Sequence, residues 1–82
     1  MKNRDMSDTV STEVLVFKTN ISSDSDVRKI GHVLTSKSSI ARWTIDRDDI
    51  DKVLRVECEQ LQPEEVIRML HDVGFECEEL PD

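Results

Sequence analysis

The sequence predicts one α+β domain of the order βαββαβ, a four-stranded antiparallel sheet with both helices on one of its faces. Two observations predict this fold class. Four short apolar runs have the composition or the alternation of strands, and two longer segments repeat their apolar residues at helical spacing. The length of 82 residues allows one modest core, and the charged fraction of 35% indicates a heavily solvated surface.

The first half of the chain contains a tail, a strand and a helix. Residues 1–11 mix charged and small polar residues without periodicity, so we expect a flexible N-terminal tail ahead of a single domain over 12–82. The apolar, largely β-branched run 14–17 is typical of a strand inside a sheet. Apolar residues recur at helical spacing over 27–34, and this helix is predicted to end near Ser36.

The second half contains a hairpin, a helix and a last strand. The hairpin strands are predicted over 40–45 and 53–56, on either side of an acidic connection. Pro63 suits the first turn of the second helix, and Gly74 suits its end. The last strand is predicted over 75–80. Two split β-α-β units of this kind form the ferredoxin-like sandwich, which leaves one sheet face open.

Charge and composition narrow the classes of partner. A net charge of -7 repels the phosphates of nucleic acids and of anionic membranes, so neither is an expected partner. The sequence has no early apolar stretch of the kind that a signal peptide or a membrane span requires. We therefore expect a cytoplasmic protein. The two cysteines, Cys58 and Cys77, match no zinc or redox spacing and are predicted to be free thiols.

The segment after the first strand reads N-I-S-S-D-S-D-V-R-K-I-G-H-V-L. It resembles the heavy-metal-associated (HMA) domains of copper chaperones and metal-transporting ATPases, in which G-M-x-C-x-x-C leads into the first helix. Asn20 and Ile21 stand at the Gly and Met positions, and Ser23 and Asp26 stand at the two cysteine positions. The resemblance covers nearly the whole chain beyond the tail. It implies the ferredoxin-like fold, and in the family the two thiolates hold a soft ion such as Cu(I).

The two residues at the cysteine positions have a structural interpretation. Ser-x-x-Asp ahead of an apolar helix is close to a capping box, and carboxylates at Asp24 and Asp26 suit the positive end of the helix dipole. We therefore predict no metal ligand in this loop. The alternative is weak binding of a hard divalent cation by oxygens of four residues, Ser22, Ser23, Asp24 and Asp26.

The acidic connection and the histidines are also predicted to be surface features. Residues 46–51 resemble a calcium loop in their aspartates, but they lack the ligand at the fifth position and the glycine at the sixth of an EF-hand. A solvated turn is therefore predicted. His32 and His71 lie outside the apolar faces of their helices, so both are expected at the surface.

Three further side chains are predicted to belong to the core. Cys58 and Cys77 alternate in phase with apolar neighbours, and two strand spacings would place them about 9 to 10 Å apart, beyond the reach of a disulfide. The neighbouring glutamates are expected to raise the thiol pKa values. Trp43 is interpreted as a core residue, with an exposed binding platform as the alternative.

These observations lead to one function hypothesis and two alternatives. The first hypothesis is a non-enzymatic HMA-like domain without the thiol pair or a cofactor, which acts through an unidentified, basic protein partner or through self-association and serves metal homeostasis as an accessory module. The alternative is a metal-binding protein or metal chaperone with oxygen or histidine ligands. A third interpretation is a ligand-sensing regulatory module of the same architecture.

Overall fold

The structure is a computed structural model that describes residues 12–81. The predicted tail over 1–11 lies outside the described residues. The elements are β1 (Glu13–Thr19), α1 (Asp24–Thr35), β2 (Ile40–Asp46), β3 (Val53–Cys58), α2 (Pro63–Asp72) and β4 (Cys77–Glu79). Their order confirms the predicted βαββαβ arrangement. Within the described part of the chain, neither helix is long and apolar enough to cross a membrane.

The four strands form one antiparallel sheet in the order β2-β3-β1-β4. β1 is an inner strand, which explains its continuous apolar run. Phe17 pairs with Leu54 on one side and with Glu79 on the other, and its side chain is fully buried. β2 and β4 are the two edges. Because both neighbours of β1 are antiparallel to it, the loops before β3 and before β4 both lie near the end of β1.

The core lies between the sheet and the two helices. α1 packs against β2, α2 packs against β4, and the helices contact each other. Each helix buries two side chains of its apolar stripe, Ile30 and Leu34 in α1 and Val66 and Leu70 in α2. The other buried residues of the cluster come from the strands and loops: Phe17, Ile21, Leu54, Val56, Cys58, Leu61 and Cys77.

The last strand is shorter than predicted. β4 begins at Cys77 rather than at residue 75, because the chain first has to close α2. Gly74 adopts a φ of 92°, its N–H donates to the His71 carbonyl, and the N–H of Phe75 donates to the Leu70 carbonyl. These two bonds form a Schellman motif, and only a residue tolerant of positive φ suits its turn. Gly74 thus ends α2 as predicted, and Phe75 belongs to the cap.

The open face of the sheet carries charges of both signs. Strand alternation and register place Lys18, Arg42 and Arg55 on this face together with Glu57 and Glu78. Arg42 and Glu57 form an exposed ion pair of 3.6 Å. The open face is therefore mixed in charge, and the acidity of the chain does not make this face acidic.

Candidate functional site

The loop between β1 and α1 is held by two other segments of the chain. The β2–β3 turn and the start of β4 both reach the end of β1, because both neighbouring strands run antiparallel to it. The Thr19 N–H donates to the Asp51 carbonyl at 3.0 Å, and the Thr19 hydroxyl donates to the Lys52 carbonyl at 2.6 Å. The Glu76 N–H donates to the Asn20 side-chain oxygen at 2.9 Å. The loop is thus fixed before α1 begins.

Ser23 and Asp26 form the capping box that the sequence predicts. The Asp26 N–H donates to Ser23 Oγ at 3.0 Å, and Asp26 Oδ2 accepts from the backbone N–H groups of Ser22 and Ser23, both at 3.2 Å. The Ser22 hydroxyl approaches the same oxygen at 3.4 Å. These bonds, the Ser23 N–H first, lower the pKa of Asp26 below its usual value. One carboxylate oxygen therefore closes the start of the helix.

Arg47 supplies a cation to the same loop. Its guanidinium lies 2.9 Å from Asp24 Oδ1 and donates to the Ser22 carbonyl at 3.1 Å. The two contacts join the β2–β3 turn to the first turn of α1. This role is not predictable from local sequence patterns, because 25 residues separate Arg47 from Ser22. The available signal was a basic residue within an otherwise acidic turn, facing an acidic helix start.

The side-chain atoms of this loop are not the ligands that a soft metal ion prefers. Residues 20–27 contain no sulfur, and the oxygens of Ser23 and Asp26 accept the capping hydrogen bonds described above. Asp24 faces a guanidinium rather than a second carboxylate. Among residues 12–81, no group of three or more His, Cys, Asp or Glu side chains is arranged to hold a metal ion.

The acidic connection is a turn ordered by its own aspartates. Asp46 Oδ1 accepts from the Asp48 N–H at 3.1 Å, and Asp49 Oδ1 accepts from the Asp51 N–H at 2.8 Å. Lys52 follows with a φ of 47° and donates from Nζ to the Arg47 carbonyl. Two carboxylates are thus used in local Asx turns, as expected of a solvated turn.

The histidines and cysteines are not brought together into a site. His32 and His71 are exposed, as predicted. Cys58 and Cys77 are buried and free, but they lie at opposite ends of β1: Cys58 pairs with Glu13, and Cys77 pairs with Thr19. The predicted separation of about 9 to 10 Å is too short, because a six-residue offset along β1 adds roughly 20 Å. The conclusion that they share no bond or metal is unchanged.

Burial, rather than the charge of the adjacent glutamates, is the main cause of the raised thiol pKa values. Burial raises the pKa of Cys77 to about 12. Burial also raises the pKa of Cys58, and the charge of Glu13 on the neighbouring strand adds to the increase. The direction agrees with the sequence-based expectation, but its main cause is desolvation of the thiolate. Both groups are consequently poor nucleophiles.

Trp43 lies at the boundary between core and surface. It is half-buried, packs against the core cluster and covers Gly31 of α1. A Cβ atom at Gly31 would lie 3.1 Å from Trp43 Cζ2, so the absence of a side chain allows this close packing. Trp43 also lines two hollows between α1 and β2. Trp43 is thus partly a core residue, as predicted, and partly a surface residue that lines these hollows.

Solved structures with a similar fold include an HMA domain and two metal-related proteins. Oxidized MerP from Ralstonia metallidurans CH34 has a TM-score of 0.74 over 87% of this chain and 100% of its own, at 5% identity. The apo HMA domain of the copper chaperone for superoxide dismutase also scores 0.74, over 88% and 70%, at 17% identity. The N-terminal domain of ZntA in the Zn(II)-form scores 0.69 over 80% and 89%, at 12% identity.

These likenesses define the class of fold. Comparison with family models and with curated proteins finds no match to the sequence. At the low identities above, the structural likenesses establish the ferredoxin-like, copper-chaperone-like architecture. The chain has the fold of these domains. The chemistry of its first loop has to be argued from its own residues.

Proposed function

We propose that this chain is a non-enzymatic HMA-like domain that acts through protein contacts as an accessory module of metal homeostasis in the cytoplasm. The arrangement of the first loop carries the proposal. At the positions that correspond to the family's cysteines, Ser23 and Asp26 cap α1. The neighbouring Asp24 binds the guanidinium of Arg47. Oxygens of this loop thus accept the hydrogen bonds that cap α1 and pair with an arginine of the same chain.

Chemistry in the remainder of the described chain also favours a binding role. Both thiols are buried with raised pKa values, and both histidines are exposed. A nucleophile or a general base needs a partner within hydrogen-bond reach and a poised pKa. The raised thiol pKa values disfavour the thiolate form that a nucleophilic cysteine needs. The link to metal homeostasis rests on the neighbours, whose names include a copper chaperone and a Zn(II)-form domain.

Metal titrations followed by backbone amide NMR test the proposal. Cu(I), Zn(II) and Ni(II) are added separately to the full chain under reducing conditions. We expect no saturable shift among residues 20–27 for any of the three ions. Saturable shifts there at micromolar metal would contradict the proposal and favour the oxygen-ligand alternative.

The variant Arg47→Gln sharpens the experiment. It removes the guanidinium beside Asp24 while leaving Ser23 and Asp26 in place. If the guanidinium only competes with a divalent cation for an existing oxygen site, the variant gains saturable Zn(II) shifts in the loop. Our proposal expects none, because one capping carboxylate and one further carboxylate make a poor site. Arg68→Gln on the exposed side of α2 is the control for the same loss of charge.

A further inference from the structure

The two edges of the sheet differ in length and in charge. β2 is a seven-residue edge strand, whereas β4 has three residues. β4 lies in the acidic segment 76–79 and is followed by Pro81, two features that protect an edge from pairing. On β2, alternate residues direct backbone N–H and C=O groups away from β3, and its bulge lies at one end, between Ile40 and Arg42. The regular part, residues 42–46, is the longer free edge in the described sheet.

A groove runs beside this edge, between β2 and α1. Two hollows lie along it, on either side of Trp43. One, of about 310 Å³, is lined by Arg28, Gly31, His32, Thr35 and Trp43. The other, of about 210 Å³, is lined by Leu34, Thr35, Ile40, Ala41, Arg42 and Trp43. A strand added to β2 would direct alternate side chains toward this groove, since side chains alternate between the two faces of a sheet.

The two hollows are lined by arginines and by no carboxylate, although Asp46 lies at the end of the β2 edge. The whole chain carries a net charge of -7. Arg28 and His32 are exposed on the α1 side. Arg42 lies on the open-face side of β2, where its side chain is 70% exposed despite the ion pair with Glu57. Exposed pairs of this kind exchange readily, so Arg42 is available to a second carboxylate.

We propose that the edge of β2 and the groove beside it bind an extended, acidic segment of a partner protein. The segment pairs with residues 42–46 as an additional strand. Its apolar side chains enter the hollows around Trp43, and its carboxylates face Arg28 on one side and Arg42 on the other. This proposal rests on the proposed function as a protein-contact domain, and it names the surface and the chemistry of the partner.

A model peptide tests the surface directly. A capped peptide Val-Glu-Glu-Glu-Val-Glu, which as a strand presents glutamates on one face and both valine and glutamate on the other, is titrated into the isotope-labelled full chain. The same peptide with lysine in place of glutamate is its matched control. We expect saturable shifts of the amides of 42–46 and of the Trp43 indole N–H with the acidic peptide alone. Equal shifts with both peptides, shifts centred on β4, or no shifts would overturn the proposal.

Charge reversal identifies the groups that recognise the acidic segment. The double variant Arg28→Glu/Arg42→Glu is expected to weaken binding of the acidic peptide roughly tenfold, because two favourable contacts become repulsive. Its control, Arg68→Glu/Lys29→Glu, makes the same change in net charge at exposed positions that line neither hollow, and it is expected to bind within about twofold of the parent. Overlaid amide spectra establish that both variants are folded. Equal weakening by the two variants would overturn the proposal.

Two further outcomes separate this proposal from its alternatives. Edge shifts that depend on protein concentration in the absence of peptide would assign the edge to a second copy of the chain and overturn the acidic-partner proposal. Metal-dependent shifts at residues 20–27 would refute the proposed function while leaving the peptide result intact. A partner captured from the native host that perturbs another face would refute the edge proposal alone.

Discussion

Introducing a thiol pair at positions 23 and 26 is the most direct perturbation of the first loop. The variant Ser23→Cys/Asp26→Cys removes the bond from the Asp26 N–H to Ser23 Oγ and the carboxylate that accepts from Ser22 and Ser23. Loss of the Ser23 cap alone costs about 1 kcal/mol. For a domain of this size, that loss lowers the melting temperature by roughly 4 to 8 °C. Loss of the carboxylate acts in the same direction.

Cu(I) is expected to reverse this loss. The two thiols lie at the start of α1, where the helix dipole lowers a thiol pKa, and two thiolates suit a soft ion. A ligand at about a hundredfold excess over its dissociation constant stabilises a folded state by about 2.7 kcal/mol. The metal-free variant should therefore be less stable than the parent, and the Cu(I)-loaded variant should be more stable.

Thermal unfolding followed by circular dichroism under reducing conditions, with and without Cu(I), measures both effects. The control is Ser22→Cys/Ser25→Cys, which introduces the same spacing one residue earlier and keeps Ser23 and Asp26. It should retain the parent stability and gain less from Cu(I). Equal gains from the two pairs would refute the assignment of Ser23 and Asp26 to the cysteine positions. An unchanged melting temperature of the metal-free variant would refute the contribution of the capping box.

Three other outcomes follow from local contacts. Gly31→Leu should destabilise the domain by about 1 to 3 kcal/mol, because the leucine side chain has to displace Trp43. Gly31→Ala should be close to neutral, since a gain in helix propensity of about 1 kcal/mol offsets the 3.1 Å contact of the new Cβ with Trp43. Equal stabilities of the two variants in urea unfolding would contradict this account. The pKa of Asp26 is lower in the folded state than its unfolded value of 3.8, so the ionised carboxylate stabilises the fold above pH 3.8, and this stability is lost as the pH falls through the folded pKa. The difference in unfolding free energy between the parent and Asp26→Asn should therefore shrink below about pH 4. A constant difference from pH 3 to pH 6 would argue against this role of Asp26. Cys77, whose pKa burial raises to about 12, should react with a thiol reagent at pH 8 only at the rate of opening or unfolding, and reaction as fast as in denaturant would show that the thiol is not buried.

Local signals in the sequence were sufficient for most of the fold. The spacing of apolar residues located both helices, and the Ser-x-x-Asp pattern located the cap of α1, because a capping box involves residues only three apart. Gly74 marked the end of α2 for the same reason. The start of β4 was misplaced because an apolar residue after a glycine suits either a strand or a Schellman cap. Only the bond from the Phe75 N–H to Leu70 distinguishes them.

Features that depend on distant segments were not predictable in the same way. The contacts of Arg47 require that the β2–β3 turn lies beside the first loop, and the sequence does not specify which charge faces which carboxylate. The separation of Cys58 and Cys77 requires the strand register, because their order in the sheet alone suggests only two strand spacings. Trp43 shows the same limit, since its burial depends on how closely Gly31 approaches it.

The charges around the first loop explain why an arginine stands there. Asp24 and Asp26 begin α1, and the neighbouring turn adds four aspartates. The helix dipole and the cations of the protein itself compensate this negative charge. Arg47 lies in that turn and contacts Asp24 and the Ser22 carbonyl at once. A single exposed ion pair contributes little stability. The contact therefore acts mainly by joining the β2–β3 turn to the start of α1, two segments that are distant in the sequence.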